Sequence, residues 1–334
     1  MQTLLASILV FGMLVFFHEF GHFIIAKISD IKVLEFSLGM GPRLFKVKHG
    51  DTDYSIRAFP LGGFVKMEGE DSDSVDPRAF NNKSVYARMG VVIAGPIMNF
   101  ILAIFLIAVI SFFSGVATTT IDVMPGGPAE MAGLRDGDTI YAIDDTRISM
   151  WDEVVNYIGQ RPNKDVNVSV KRNGDILNFS IKPEIEADTN RGVIGIKSVI
   201  LKHSLGPSIS SGFKRTTWMT KMMLNGLVLI FKGKAEADLV GPVGIVHLVG
   251  EAAKVGIFNL LYLAAIVSIN LAVFNILPIP ALDGSRLVFL LIELIRGKPV
   301  EPEKEGMVHF VGFAILMMLM IFIAYKDFIR FNLI

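Results

Sequence analysis

The stretch Phe16-Phe17-His18-Glu19-Phe20-Gly21-His22-Phe23-Ile24-Ile25 places His-Glu-x-x-His inside an otherwise unbroken apolar run from Leu4 to Ala26. A run of that length suffices to cross a bilayer, which takes about 20 residues. On a helix the i, i+4 spacing sets His18 and His22 on one face a turn apart, which suits two ligands of a tetrahedral zinc. Glu19 lies beside that face without being obliged to bind the metal. In this pattern it takes a proton from an activated water and later hands it to the leaving amine. Each ionisable group at the bilayer centre costs roughly 2.5 kcal/mol or more, so three on one helix mark a functional site. A soluble core helix with two satisfied histidines is the alternative, and the long apolar flanks argue against it.

The whole chain fits that setting. Of its 334 residues 52% are hydrophobic and 19% charged, too apolar for an ordinary soluble protein yet polar enough for one extramembrane module. Lys plus Arg and Asp plus Glu balance at 32 each, so no bulk field draws it to nucleic acid. It has no cysteine, which leaves His, Asp and Glu as metal ligands. The first apolar segment has no basic residue before Leu4 and no small-residue cleavage site after Phe17, so it is expected to be a retained helix and not a signal peptide.

From Ile28 to Arg88 the chain turns polar and strand-like. Arg43–Lys48 and Asp53–Ala58 flank the turn His49-Gly50-Asp51 and predict a β-hairpin. It continues into Phe59–Met67, where Gly62 and Gly63 permit close backbone approach and are candidate substrate contacts. An edge strand here could take up an extended peptide. The acidic stretch Glu68 to Asp76 is expected to be a solvated loop. A second apolar run covers Met89 to Phe113 and contains Gly95-Pro96-Ile97-Met98-Asn99, in which Asn99 is a buried polar contact between helices or a substrate contact.

Between Ser114 and about Lys202 the pattern is that of a soluble domain. Ala132-Gly133-Leu134-Arg135-Asp136-Gly137-Asp138-Thr139-Ile140, a helix from Trp151 to Gly159 and an Asn173-Gly174 hairpin turn resemble a PDZ domain of the bacterial protease type. Ser208 to Lys232 is basic and apolar, suited to the membrane interface, and Gly241-Pro242-Val243-Gly244-Ile245 is expected to be a break.

From Ile257 the chain is apolar again and reaches Asn270, Asn275 and then Leu277-Pro278-Ile279-Pro280-Ala281-Leu282-Asp283-Gly284. Two prolines two apart cannot continue a helix, and open backbone at membrane depth survives only where it lines a cavity. The break delivers Asp283 at the start of a second helical half, where a carboxylate can complete a His, His, Asp site and leave the fourth position to water. Asn275 and, further from the break, Asn270 are candidates to hydrogen-bond a substrate backbone. A last span runs from Met307 to Tyr325, and His49, His203, His247 and His309 lack ligand-like spacing.

Together these motifs resemble the bacterial site-2 proteases, family M50, of the RseP/RasP type, over nearly the whole chain. The resemblance implies one Zn2+ per chain held by His18, His22 and Asp283, with Glu19 as catalytic acid/base. It also implies a membrane-associated β-element over Phe36 to Met67 that presents substrate. The expected fold is a polytopic α-helical membrane protein of about four transmembrane helices, with that β-hairpin region and one α+β PDZ domain. Its parts are an N-terminal membrane half 1–113 (spans 4–26 and 89–113 around the loop 28–88) and a PDZ domain 114–202. An interfacial helix and linker 203–256 and a C-terminal membrane half 257–334 follow, the latter with a broken span 257–296 and a span 307–325. The best-known proteobacterial members of that family carry tandem PDZ domains, whereas this chain has room for one.

The implied activity is intramembrane hydrolysis of single-span membrane proteins of the anti-sigma-factor or remnant-signal-peptide kind. The implied partners are those substrates, a peptide segment or chain end at the PDZ domain, and membrane lipid. Lys27, Lys32, Lys83 and Arg88 flank the first loop and Arg296, Lys298 and Lys304 the last, which puts the loops 28–88 and 297–306 in the cytoplasm of a bacterial inner membrane protein. The PDZ domain and both termini then lie outside. A silent PDZ-bearing scaffold and a zinc or ion transporter are the alternatives.

Overall fold

The computed structural model describes residues 1–70, 74–186, 188–234 and 240–331. Helix α1 (Gln2–Ile28) leads into two long strands, β1 (Val33–His49) and β2 (Thr52–Met67), and the chain returns through α2 (Val85–Ser114). There follow β3 (Val116–Val123), α3 (Pro128–Met131), β4 (Thr139–Ile143), β5 (Thr146–Arg147) and α4 (Trp151–Gly159). Next come β6 (Val166–Arg172), β7 (Asp175–Ile181), β8 (Glu184–Ile185), β9 (Gly192–Val193) and β10 (Ile196–Leu201). Five helices remain: α5 (Leu205–Phe231), α6 (Pro242–Val255), α7 (Ile257–Ile276), α8 (Asp283–Arg296) and α9 (Pro302–Arg330). The chain divides into two compact units, one of residues 1–107 and 215–334, the other of residues 108–214.

In the first unit α1, α2, α7 and α9 are long and apolar enough to cross a membrane. The core shared by α1, α2, α6 and α7 holds Val10 and Leu14 of α1, Leu102 and Ile107 of α2, Val249 of α6, and Ala264 and Ile269 of α7. The C-terminal broken span resolves into α7, a turn over residues 277–282, and α8. At 14 residues α8 extends about 21 Å, short of the roughly 30 Å hydrocarbon core.

Gly241–Ile245 is not a break. It opens α6, with Pro242 at the first helical position, where its missing N–H costs no bond. The carboxylate of Asp327 in α9, 1% exposed, accepts from the backbone N–H of Gly241 (3.2 Å) and of Gly244 (2.8 Å) and so caps that helix.

Strands β1 and β2 form a two-stranded antiparallel sheet that closes at His49 and Thr52, with repeated register shifts along the ladder. Glu35 is buried in it and accepts from Ser55 Oγ (2.7 Å), Arg57 (2.8 Å) and Arg43. Burial alone would raise its carboxyl, but these donors hold it down at about 2. The acidic stretch expected to be a solvated loop is tied down where it is described. Glu68 accepts from Ser74, Asp76 pairs with Lys32 at 3.1 Å, and Glu70 pairs with Arg286 of α8.

The second unit holds a sheet in the order β10-β3-β4-β6-β7, with β5 on β4, packed on Val154 and Ile158 of α4. The expected succession of short helix, strand, helix and Asn173-Gly174 hairpin is present, with both turn residues at positive φ. Asp138 of the Gly-Asp pair is 1% exposed and accepts two bonds from Arg172 (both 2.7 Å) and one from the Arg135 N–H (2.9 Å). Burial would raise its carboxyl, and Arg172 with the Arg135 amide outweighs that and lowers it. The stability this pair contributes is therefore present above the unfolded carboxylate range and fades as pH falls below it. Asp138→Ala removes a buried carboxylate that accepts three hydrogen bonds and leaves the Arg135 N–H without its acceptor, and is expected to destabilise this unit by about 1–3 kcal/mol, read as a lowered melting transition in the full chain.

Candidate metal centre

Helix α1 presents His18 and His22 with ring centroids 4.8 Å apart and planes at 84°. Asp283 enters from the first residue of α8, so the site joins two elements far apart in sequence. His18 Nε2 lies 3.2 Å from His22 Nε2 and 3.1 Å from Asp283 Oδ2, and His22 Nε2 lies 3.5 Å from Asp283 Oδ2. Ligand atoms about 2.0–2.1 Å from a tetrahedral zinc stand about 3.3 Å from one another, so the three atoms already have the required spacing. Among the described residues no other group of three such side chains converges.

The far side of each imidazole decides what its Nε2 offers. His22 Nδ1 donates to the carbonyl of Val91 in α2 at 2.8 Å, which leaves Nε2 a lone pair. Asn99, fully buried in α2, has its amide nitrogen 3.1 Å from His18 Nδ1 and its Oδ1 buried without a partner. With the amide reversed, its oxygen accepts Nδ1–H and leaves His18 Nε2 a lone pair as well. Asp283 Oδ2 is likewise buried and without a hydrogen bond. Acceptors that face one another at such distances repel unless a cation lies between them, and the donor set of two imidazoles and a carboxylate suits zinc.

Glu19 stands outside the ligand cluster and lines a cavity of about 520 Å³ with His18, His22 and Asp283. Phe64, Val65 and Met67 of β2 form part of its wall, and Arg286 with Glu70 another part. Of the expected substrate contacts, Gly63 lies beside Glu19, where a Cβ would come 3.1 Å from Glu19 Cγ and 2.9 Å from Val15, though neither it nor Gly62 is among the cavity-lining residues. Gly62 has a φ of +86°, which favours glycine. Asn275 is buried and Asn270 half-buried on α7, and neither is among the cavity-lining residues. Asn99 sits behind His18, where it supports a ligand.

Two features escaped the sequence. Gly95 leaves no room for a side chain, since a Cβ would overlap His22 Nε2 and approach His18 Cε1 at 2.8 Å. Gly21 faces the Ala94 carbonyl as tightly, so α1 and α2 meet backbone to backbone at the metal ligands. The Gly-Pro pair in an apolar helix was the available signal, but it reads first as a kink.

Residues 6–319 match the profile described as Peptidase family M50. The chain is 40% identical, over 97% of each chain, to a Clostridium acetobutylicum protein that carries the name of a zinc metalloprotease. It is 33% identical to the zinc metalloprotease RasP of Geobacillus kaustophilus, over 100% of this chain and 99% of the relative. It is also 33% identical to the regulator of sigma-W protease RasP of Bacillus subtilis, over 98% of each. A PDZ domain of an SdrC-like protein from Listeria monocytogenes is 27% identical, covering 26% of this chain and 90% of its own, with a TM-score of 0.22.

Proposed function

The chain belongs to peptidase family M50 and is a zinc metalloprotease, and from that premise we propose that His18, His22 and Asp283 hold the zinc while Glu19 moves the proton. The observation that carries this assignment is the convergence of three ligand atoms 3.1–3.5 Å apart, with Glu19 beside them and outside the cluster. Zinc held there supplies Lewis-acid activation of water and of the scissile carbonyl. Glu19 accepts a proton from the attacking water and returns it to the leaving amine. The apolar helices around the cavity keep bulk water away from these charges and strengthen their effect.

The substrate is a single-span membrane protein, unwound into extended chain before it is cut, because a helical peptide bond shields its carbonyl. Strand β2 supports this: its end, residues 63–67, pairs on one side only, with residues 33–38 of β1, and Phe64, Val65 and Met67 of that end line the cavity. The second unit acts as a PDZ domain that receives a peptide segment or chain end. The loops 28–88 and 297–306 face the cytoplasm and the PDZ domain lies outside, following the basic residues at the span ends. Family membership removes the transporter alternative, and the complete ligand set with Glu19 opposes a silent scaffold.

Detergent-purified chain is expected to carry one zinc and to cut a single-span test substrate. A strong chelator should abolish cleavage and zinc readdition should restore it. Cleavage that persists in the metal-free protein would overturn the assignment.

A further inference from the structure

The turn that presents Asp283 is strained and depends on a neighbour. Ala281 has a φ of +72°, in the left-handed region that residues with a side chain avoid. Its N–H donates to His309 Nδ1 of α9 at 3.2 Å, and Ser285 Oγ lies 3.5 Å from the same nitrogen. Because Nδ1 accepts the Ala281 N–H, the imidazole proton sits on Nε2, and Glu305 Oε1, one turn before His309, lies 3.6 Å from it. One turn after it, Gly312 meets Pro280, where a Cβ would overlap the ring carbon and come within 2.9 Å of the Pro280 carbonyl carbon. The inner wall of the turn is as close, because a Cβ on Gly284 would overlap the Leu277 carbonyl. His309 itself is no part of the ligand cluster, although it lines the same cavity.

We propose that His309 is a positioning residue: by accepting the Ala281 N–H it fixes the strained turn between α7 and α8 and so holds Asp283 where it can bind the metal. This rests on Asp283 being a ligand. A backbone held at positive φ reverts to ordinary conformations once its hydrogen bond is lost, and the residue two places on then moves. Metal sites tolerate shifts of only about 0.2 Å in ligand distance, and loss of a residue that orients a ligand typically costs 10–100-fold in affinity.

The test is a double-mutant cycle on the full chain in detergent, with zinc affinity measured by competition against a chromophoric chelator. Asp283→Ala reports on the ligand assignment alone. His309→Ala is expected to weaken zinc about 10–100-fold, whereas His309→Asn, whose amide oxygen can take the place of Nδ1, should bind within a few-fold of the native chain. In the Asp283→Ala background, His309→Ala should cost nothing more, because its effect passes through Asp283. Native affinity in His309→Ala, an Asn variant as weak as the Ala variant, or additive losses would each overturn the positioning role. Native affinity in Asp283→Ala would instead overturn the ligand assignment on which it rests.

Discussion

Glu19→Gln is expected to lower cleavage of a single-span substrate by at least about 100-fold while bound zinc stays at the native level. The two side chains have the same shape, and Gly63 leaves beside Glu19 Cγ only the space that a Cβ at 3.1 Å would fill, so glutamine should occupy the same place. What it cannot do is accept a proton. Because Glu19 is outside the group of converging ligand atoms, its replacement leaves the metal donors untouched. The expected signature is therefore a loss in kcat with zinc content and substrate capture intact. A Glu19→Gln chain that cleaves at the native rate would refute the proton-transfer role.

Gly95→Ala should lose the zinc. In an exposed helix this change would stabilise by about 1 kcal/mol, since alanine is the better helix former. Here the new Cβ would fall on His22 Nε2, itself a donor atom, and within 2.8 Å of His18 Cε1. The imidazole has no easy retreat, because its Nδ1 is held by the Val91 carbonyl one turn earlier on the same helix. Either the ring turns and gives up the metal, or α1 and α2 part and give up their backbone contact at Gly21 and Ala94. Zinc content by elemental mass spectrometry is expected to fall to less than about a tenth of the native level, with cleavage falling in parallel. A fully zinc-loaded Gly95→Ala chain would contradict the packing described for the site.

The catalytic helix and its distant partner were legible because each carries a local signal. Histidines at i, i+4 in an apolar run and a double proline before Asp283 both conflict with an ordinary span, and such conflicts point to sites. The Asn173-Gly174 turn and the strand alternation around it were legible for the same local reason. What stayed hidden depends on contacts between remote segments. Glu70 lies among acidic neighbours and reads as solvated, yet it pairs with Arg286 across 216 positions. Gly241-Pro242 reads as a break until Asp327, far along α9, supplies the cap that makes it a helix start. His309 has no ligand-like neighbour in sequence, and its relevance arises only when α9 lies against the Ala281 turn. Asn99 was visible as a buried polar group, but whether it met a helix, a substrate or His18 depended on where α1 came to rest.

The most direct test of the central claim is the zinc content of four purified chains: the native protein, His18→Ala, His22→Ala and Asp283→Ala. One zinc per native chain and less than about a tenth of that in every variant is the expected result, since a three-ligand site does not retain the metal through purification on two. A variant among the three that keeps its full zinc would contradict the site.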